Sequence, residues 1–400
     1  MENFHITTDN YGNLTISPTD YGSWDNDSPN TSCSMSQAFF SENCESCSDG
    51  TRNLILNGDY LRAKIGRRFK NWDVPYLAIF LANNKNVVKL CLANNVIDSA
   101  GFIGLITHLL VHEYVQELDL RNNHIGDPGI NFMYYNRDKL KLKVLRLRGN
   151  EIGTRNGTKV ALTVADNKFI QHLDVAETNQ NESSLIYFTT VLRSDLGFDN
   201  NLKILDLSRP SPKCAYSKAD GQHVAETIGI ALRYNATLEE LHLQKFSFSC
   251  HDVEDMLRNA GHNRTLRLLD LRCNNIGDHG VGVLSKWLRN CCPLHSLLLG
   301  HNNISNHGVR ALSETVPFSK LTRLDLSHNR FDDMGAVELF NAIFKLPLIK
   351  HIRIYGNNIG SLTAEVIEKL LELNIFEQKN IDLKVYRVDG IPCLAYYECD

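Results

Sequence analysis

Leu266-Arg267-Leu268-Leu269-Asp270-Leu271-Arg272-Cys273-Asn274-Asn275-Ile276 is the stretch that decides the fold. Its skeleton, Leu-x-x-Leu-x-Leu-x-x-Asn-x-Ile, returns at Leu294, Leu297, Leu299, Asn302 and Ile304. It returns again from Leu321 to Phe331 and from Ile349 to Ile359. Upstream it runs from Val87 to Ile97, from Val115 to Ile125 and from Leu142 to Ile152. Three looser copies centre on Leu173, Leu205 and Leu241. The second apolar residue of each copy falls at 90, 118, 145, 173, 205, 241, 269, 297, 324 and 352, a step of 27 or 28 residues broken only by 32 and 36 in the middle. A fixed period of this size is the mark of a stacked repeat array.

Each part of the repeat has a physical reason. In Leu-x-Leu the two leucines alternate with other residues, so a short strand buries one side and offers the other. A buried Asn at the strand exit has an acceptor and two donors to satisfy loop backbone. The spacing then predicts a helix, with apolar residues such as Val281, Leu284 and Leu288, or Val309, Leu312 and Val316, on one face. Good N-cap types recur two residues after the Ile: Ser99, Asp127, Thr154, Asp278, Asn306, Asp333 and Ser361. No such unit buries its core alone, so the units must stack.

This pattern resembles the leucine-rich repeat family, and its step with a full helix resembles the ribonuclease-inhibitor-like subclass. The resemblance implies an α/β fold: a right-handed horseshoe solenoid of about ten repeats, with a parallel sheet on the concave face and helices outside. We expect an acidic disordered tail over 1–50, a capping repeat over 51–84, the array over 85–375 and a C-terminal cap over 376–400 with a hairpin about Asp389-Gly390. Thr178, Pro210 and Phe246 replace the Asn in the middle repeats, and Arg209–Asp220 is inserted after Leu207, which puts local stacking there in doubt.

Composition sets the outer bounds. The 400 residues are 43% hydrophobic and 22% charged, with a net charge of −4, which excludes wholesale disorder and gives no general reason to expect nucleic acid or membrane as partner. Charge is uneven: the first fifty residues hold eight acids and no Lys or Arg, leaving +4 for the remainder. That segment has too little apolar character to offset its ordering entropy. The eleven cysteines do not read as a disulfide framework, and the start lacks a secretory signal, so cytoplasm or nucleus is expected. The resemblance adds the nucleolus.

No catalytic constellation emerges, and no enzyme activity, cofactor, metal or small-molecule substrate is expected. Gly153–Lys159 fails as a phosphate loop because Lys does not follow the second Gly. Cys44 and Cys47 have zinc-like spacing with Cys33 nearby, but no second pair completes four ligands. His301 and His328 hold equivalent positions in adjacent repeats and should lie close, as solvated side chains.

The strand positions that alternate with the leucines offer the candidate partner surface: Asp119, Arg121, Arg146 and Arg148 in repeats two and three, and Asp270, Arg272, Asp325, Arg353 and Tyr355 in repeats seven to ten. All are expected to be exposed. Arg and Tyr are frequent interface anchors. The expectation is a non-enzymatic scaffold or adaptor for a protein partner. The alternative is an enzyme regulator, a small-GTPase activator or nuclease inhibitor, both of which occur in the subclass resembled.

Overall fold

A computed structural model describes residues 5–8, 14–17, 35–210, 221–261, 263–290, 293–346 and 348–398. The rest of the expected tail up to residue 34, and residues 211–220 of the insertion, lie outside the described residues. Strands β1 (His5–Thr8) and β2 (Leu14–Ser17) form an antiparallel ribbon of their own. Before the array come α1 (Gln37–Glu42), β3 (Cys44–Ser46), β4 (Arg52–Ile55), α2 (Gly58–Ile65) and α3 (Val74–Asn83). The repeat strands are β5 (Val87–Cys91), β6 (Glu117–Asp119), β7 (Val144–Arg146), β8 (His172–Asp174) and β9 (Ile204–Asp206). They continue with β10 (Glu240–His242), β11 (Leu268–Asp270), β12 (Ser296–Leu298), β13 (Arg323–Asp325) and β14 (His351–Arg353). Each is followed by a helix: α4 (Ser99–Val111), α5 (Asp127–Tyr135), α6 (Gly153–Asp166), α7 (Glu182–Thr190) and α8 (Gly221–Tyr234), then α9 (Cys250–Ala260), α10 (Gly277–Arg289), α11 (Asn306–Ser313), α12 (Asp333–Lys345) and α13 (Ser361–Glu372). A hairpin of β15 (Leu383–Val388) and β16 (Ile391–Tyr396) follows, turning through Asp389 and Gly390, both at positive φ.

β3 to β14 make one sheet in strict chain order, parallel throughout except for the β3–β4 pair. The second leucines are in register from Leu90 to Ile352, across the irregular middle as well. This is an α/β leucine-rich-repeat solenoid. Parallel strands sit about 4.8 Å apart whereas packed helices need about 8–10 Å, so the stack bends toward the sheet and makes it the concave side.

The asparagines join one coil to the next. Asn123 Nδ2 donates to Leu120 O of its own coil and Leu92 O of the previous one, each at 3.0 Å, while its Oδ1 accepts from Ile97 N. Asn150, Asn302 and Asn329 repeat this arrangement, bonding the carbonyls of Leu120, Leu271 and Leu299 in the coil before. In the middle the sheet survives by substitution. Thr178 Oγ1 donates to Val175 O at 2.6 Å, and Gln180 Nε2 reaches Thr178 O and Gly153 O of the preceding coil.

One residue before the Asn position the chain is left-handed in all ten repeats, at Asn94, Asn122, Gly149, Glu177, Arg209, Lys245, Cys273, His301, His328 and Gly356. Glycine serves twice. Elsewhere the coil holds larger residues in a conformation costing about 1–2 kcal/mol.

The helix starts correct the expected caps. The N-caps in three repeats are Asp98, Ser305 and Asp332, each accepting the N–H two residues on. Ser99, Asp127, Asn306, Asp333 and Ser361 are first helical residues, and Thr154 and Asp278 second ones. Several of them cap the next coil instead. Asp278 Oδ1 accepts from Ser305 N (2.7 Å) and Gly308 N (3.0 Å), Asp333 Oδ1 from Gly360 N (2.8 Å), and Ser99 Oγ from Gly126 N (3.0 Å). A Cβ on Gly308 would come within 2.6 Å of Asp278 Oδ1, which accounts for that glycine.

The expected boundary at residue 50 also moves. α1 and β3 belong to the N-terminal cap: Phe40 is fully buried and meets Phe80 at 5.4 Å, and Cys44 pairs with Leu54. The aromatic pair at Phe39-Phe40 supplies the apolar anchor that the composition of the whole segment concealed. At the other end Asp382 accepts from Ile354 N and Tyr355 N at 2.8 and 3.0 Å, occupying donors at the exit of β14 where no further repeat strand follows.

Candidate partner-binding face

The position between the two leucines runs along the concave sheet as one row. It is less open than the alternation implied: Asp119, Asp270 and Asp325 are buried, a correction to the expected exposure, and Asp174 joins them. The cause is local. Each carboxylate turns back onto the backbone N–H two residues on, at Arg121, Arg272, Ser327 and Ala176, where the strand gives way to the loop. The arginines then fold over the carboxylates. Arg121 binds Asp119 through Nε and Nη2 (2.9 and 2.7 Å), and Arg272 binds Asp270 likewise (3.0 and 2.7 Å). The aspartates are thus anchors that hold partly exposed guanidinium groups in one orientation.

The other expected residues separate by repeat. Arg148 pairs with Glu177 at 2.6 Å, a partner one repeat away, and Arg146 lies 3.7 Å from Glu117 and 3.5 Å from His172. Tyr355 remains open at the strand exit, and Arg353 is half-buried.

Repeats four to six carry a further cluster on the same row. Asp174 and Asp206 are directly opposed on adjacent strands, flanked by His172 and His242. Burial, reinforced by Asp206, pushes the Asp174 carboxyl up to about 6. Burial and Arg146 lower His172 to about 4. Burial also opposes a charge on His242, but its bonds to Asp270 and Glu240 outweigh that and raise it to about 9. Asp270 is held down at about 2 against its own burial by His242 and Arg272. Asp174 and Asp206 recur at one register position, a signal legible along the chain; the burial of Asp174 was not.

In repeats seven to ten the face forms a groove of about 500 Å³, with Arg272, His301, Asp325, His328, Tyr355 and Tyr396 among its lining. His301 and His328 stack at 4.3 Å with an 8° tilt, so they do lie close, face to face. His328 meets Tyr355 edge-on at 5.7 Å, and Tyr355 meets Tyr396 of β16 at 4.9 Å. A row of four rings therefore runs from β12 to the closing hairpin. Burial and the neighbouring His328 lower the pKa of His301.

The repeat, its asparagine ladder and its strand-lined face define a class, that of leucine-rich-repeat solenoids, and the comparisons agree: a "Leucine Rich repeat" profile matches residues 111–131, 262–285, 290–313 and 319–340. Within it the chain resembles leucine-rich repeat-containing protein 34, with 28% identity to the Mus musculus protein across 54% of this chain and 50% of that one. The Rattus norvegicus protein is 30% identical, across 47% and 45%. The NACHT, LRR and PYD domains-containing protein 14 of Mus musculus is 26% identical across 59% of this chain and 26% of that protein. The chain thus spans a quarter to a half of these relatives. Among solved structures, the Rad7 and Elc1 complex of yeast aligns over 83% of this chain and 89% of that one, with a TM-score of 0.47 and 16% identity. An internalin of Listeria monocytogenes aligns over 74% of each chain, with a TM-score of 0.40 and 17% identity.

Proposed function

We infer that the chain is a non-enzymatic interaction module, a scaffold or adaptor that takes a protein partner on its concave sheet. Leucine-rich-repeat proteins are generally non-catalytic interaction modules, which supports the reading. The observation that carries it is the build of the face. Buried carboxylates fix Arg121 and Arg272, so these side chains lose little further freedom on binding. Beside Arg272 stand the rings of His301, His328, Tyr355 and Tyr396. Oriented arginines beside aromatic rings are the composition of interface hot spots.

We place the partner's main contact in repeats seven to ten, with Arg121, Arg146 and Arg148 as a second patch. Among the described residues no helix is long and apolar enough to cross a membrane. We place the protein in cytosol or nucleus on its cysteine usage, since the thiols of Cys91 and Cys273 are free on or beside repeat strands.

The test is affinity capture from native extract with the full chain, an Arg272→Glu/Tyr355→Ala variant, and an Arg146→Glu/Arg148→Glu variant. A partner held by the wild type should be lost from the first variant and weakened in the second, with the circular dichroism of both unchanged. Equal capture by all three would remove the concave face from consideration.

A further inference from the structure

Four histidines stand 28 residues apart, at 223, 251, 279 and 307. They occupy the first turns of α8, α9, α10 and α11, so stacking of the coils sets them side by side at the helical rim, away from the sheet. Among the described residues one neighbouring pair acquires a carboxylate between its rings. Glu254 lies three residues after His251 and therefore on the same side of α9. Its Oε2 is 3.8 Å from His251 Nδ1 and 3.4 Å from His279 Nε2. The two rings are 5.7 Å apart, and the three donor atoms all lie within 4.8 Å of one another.

The adjacent pairs do not repeat this. Upstream, His223 is held by Glu182 at 2.6 Å, and Glu226, the counterpart of Glu254, bonds Gln222. Downstream, the counterparts of Glu254 are Gly282 and Arg310, which supply no acidic donor.

We propose that His251, Glu254 and His279 form a binding site for a divalent transition ion of the Zn²⁺ class, clamping repeat six to repeat seven. Two imidazoles and one carboxylate are borderline donors that suit Zn²⁺, Co²⁺ and Ni²⁺ over Ca²⁺ or Mg²⁺. A tetrahedral ion with bonds of about 2.0–2.1 Å needs donors about 3.3 Å apart, so two of the three spacings are already close. The remaining closure falls on His251 and His279, whose side chains are 78% and 59% exposed and free to rotate. Arg258, which bonds Glu254 at 3.2 Å, also holds Asp255 at 2.8 Å and keeps that partner when Glu254 turns to the ion. With both imidazoles exposed, water is available as a fourth ligand.

Calorimetric titration of the full chain with Zn²⁺, under a non-chelating reductant, tests this against the background of eleven cysteines. The wild type should take up one equivalent more than His279→Ala or His251→Ala. Glu254→Gln should weaken that equivalent at least tenfold, the scale on which metal sites respond to their polar partners. His223→Ala and His307→Ala should titrate as wild type. Co²⁺ at the site should give ligand-field bands without the intense charge-transfer absorption of a thiolate ligand. These side chains are exposed, so unchanged melting of each variant in chelator confirms that the fold is intact. Equal stoichiometry in all variants, or equal loss from the His223 and His307 controls, would overturn the proposal.

Discussion

Repeats one to three and seven to ten carry an asparagine at the strand exit; repeats four to six do not, yet the sheet crosses both without a slip. The regular arms satisfy the exit by one side chain that bridges two coils. The middle divides the same task among Thr178, Gln180 and loop backbone, including the bond from Gln180 N to Pro210 O. The concave row differs as well. In the arms each buried aspartate is matched by an arginine or a hydroxyl, as at Asp119, Asp270 and Asp325. In the middle, Asp174 and Asp206 oppose each other with no direct ion pair to Lys or Arg among the described residues, and Arg148 acts on both only from a distance. Strand register is thus indifferent to how the exit is satisfied, provided that it is satisfied. Electrostatic balance is a local property of each coil.

The largest expected effect comes from removing a bridge. Asn123→Ala leaves Ile97 N without its acceptor and takes one of two amide donors from Leu92 O and from Leu120 O, which keep Asn95 and Asn150, and should cost about 2–4 kcal/mol in denaturant unfolding. Thr178→Ala in the middle gives up the bond to Val175 O and one from Gln180, and should cost about 1–2 kcal/mol. Equal losses would mean that the two regions do not differ in how their exits are held.

A second prediction uses pH. The folded-state pKa of His242 is raised to about 9, so its stabilisation is fully present below its unfolded value near 6.5 and is lost as pH rises through 9. His242→Gln should therefore be less stable than wild type by about 1–2 kcal/mol at pH 6, and the gap should close by about pH 10. The His242 share of the low pKa of Asp270 is this same bond seen from its partner and is not counted twice; the rest comes from Arg272. A gap that does not change with pH would show that His242 acts by packing alone.

Asp174 has the opposite sign. With its pKa raised to about 6, ionisation costs stability above that pH, and the cost disappears as pH falls through 6 toward the unfolded value of 3.8. Asp174→Asn keeps the acceptor for Ala176 N and should stabilise by about 1 kcal/mol at pH 8, with no difference near pH 4. Destabilisation at pH 8 would mean that a cation balances the pair.

The smallest effect concerns the left-handed position. Lys245→Gly should stabilise by about 0.5 kcal/mol, the strain relieved less the entropy that glycine adds to the unfolded chain. Gly356→Ala should destabilise, since its Cβ would meet His328 Nδ1 at 2.3 Å. Melting temperatures of the two variants moving in the same direction would break the comparison.

Much of this was legible in the residues. The period from Leu90 to Ile352 placed every repeat strand, and Asn95, Asn123 and Asn274 marked the strand exits. The left-handed position was half visible, as Asn or Gly at 94, 122, 149 and 356, and hidden where it carries Glu177, Lys245 or His301. The helix caps were displaced by a residue or two because Asp278 and Asp333 have cap chemistry but serve the following helix. Of the candidate face, the arginines and Tyr355 stand partly or fully exposed on the row that the alternation implied, while Asp119, Asp270 and Asp325 are buried there.

The spacing of Leu, Asn and Ile along the chain was sufficient for the coil, because strand, turn and helix each answer to residues within one period. What stacking alone decided are the contacts made between residues about 28 positions apart. The Asp278 cap on the next helix, the stacking of His301 on His328, the opposed Asp174 and Asp206, and the approach of His279 to Glu254 all belong to that group. Their common cause is geometric: strands in a parallel sheet come within about 4.8 Å, so equivalent positions in successive coils become neighbours. Whether two such neighbours stack, pair or repel depends on rotamers and burial that no single repeat contains.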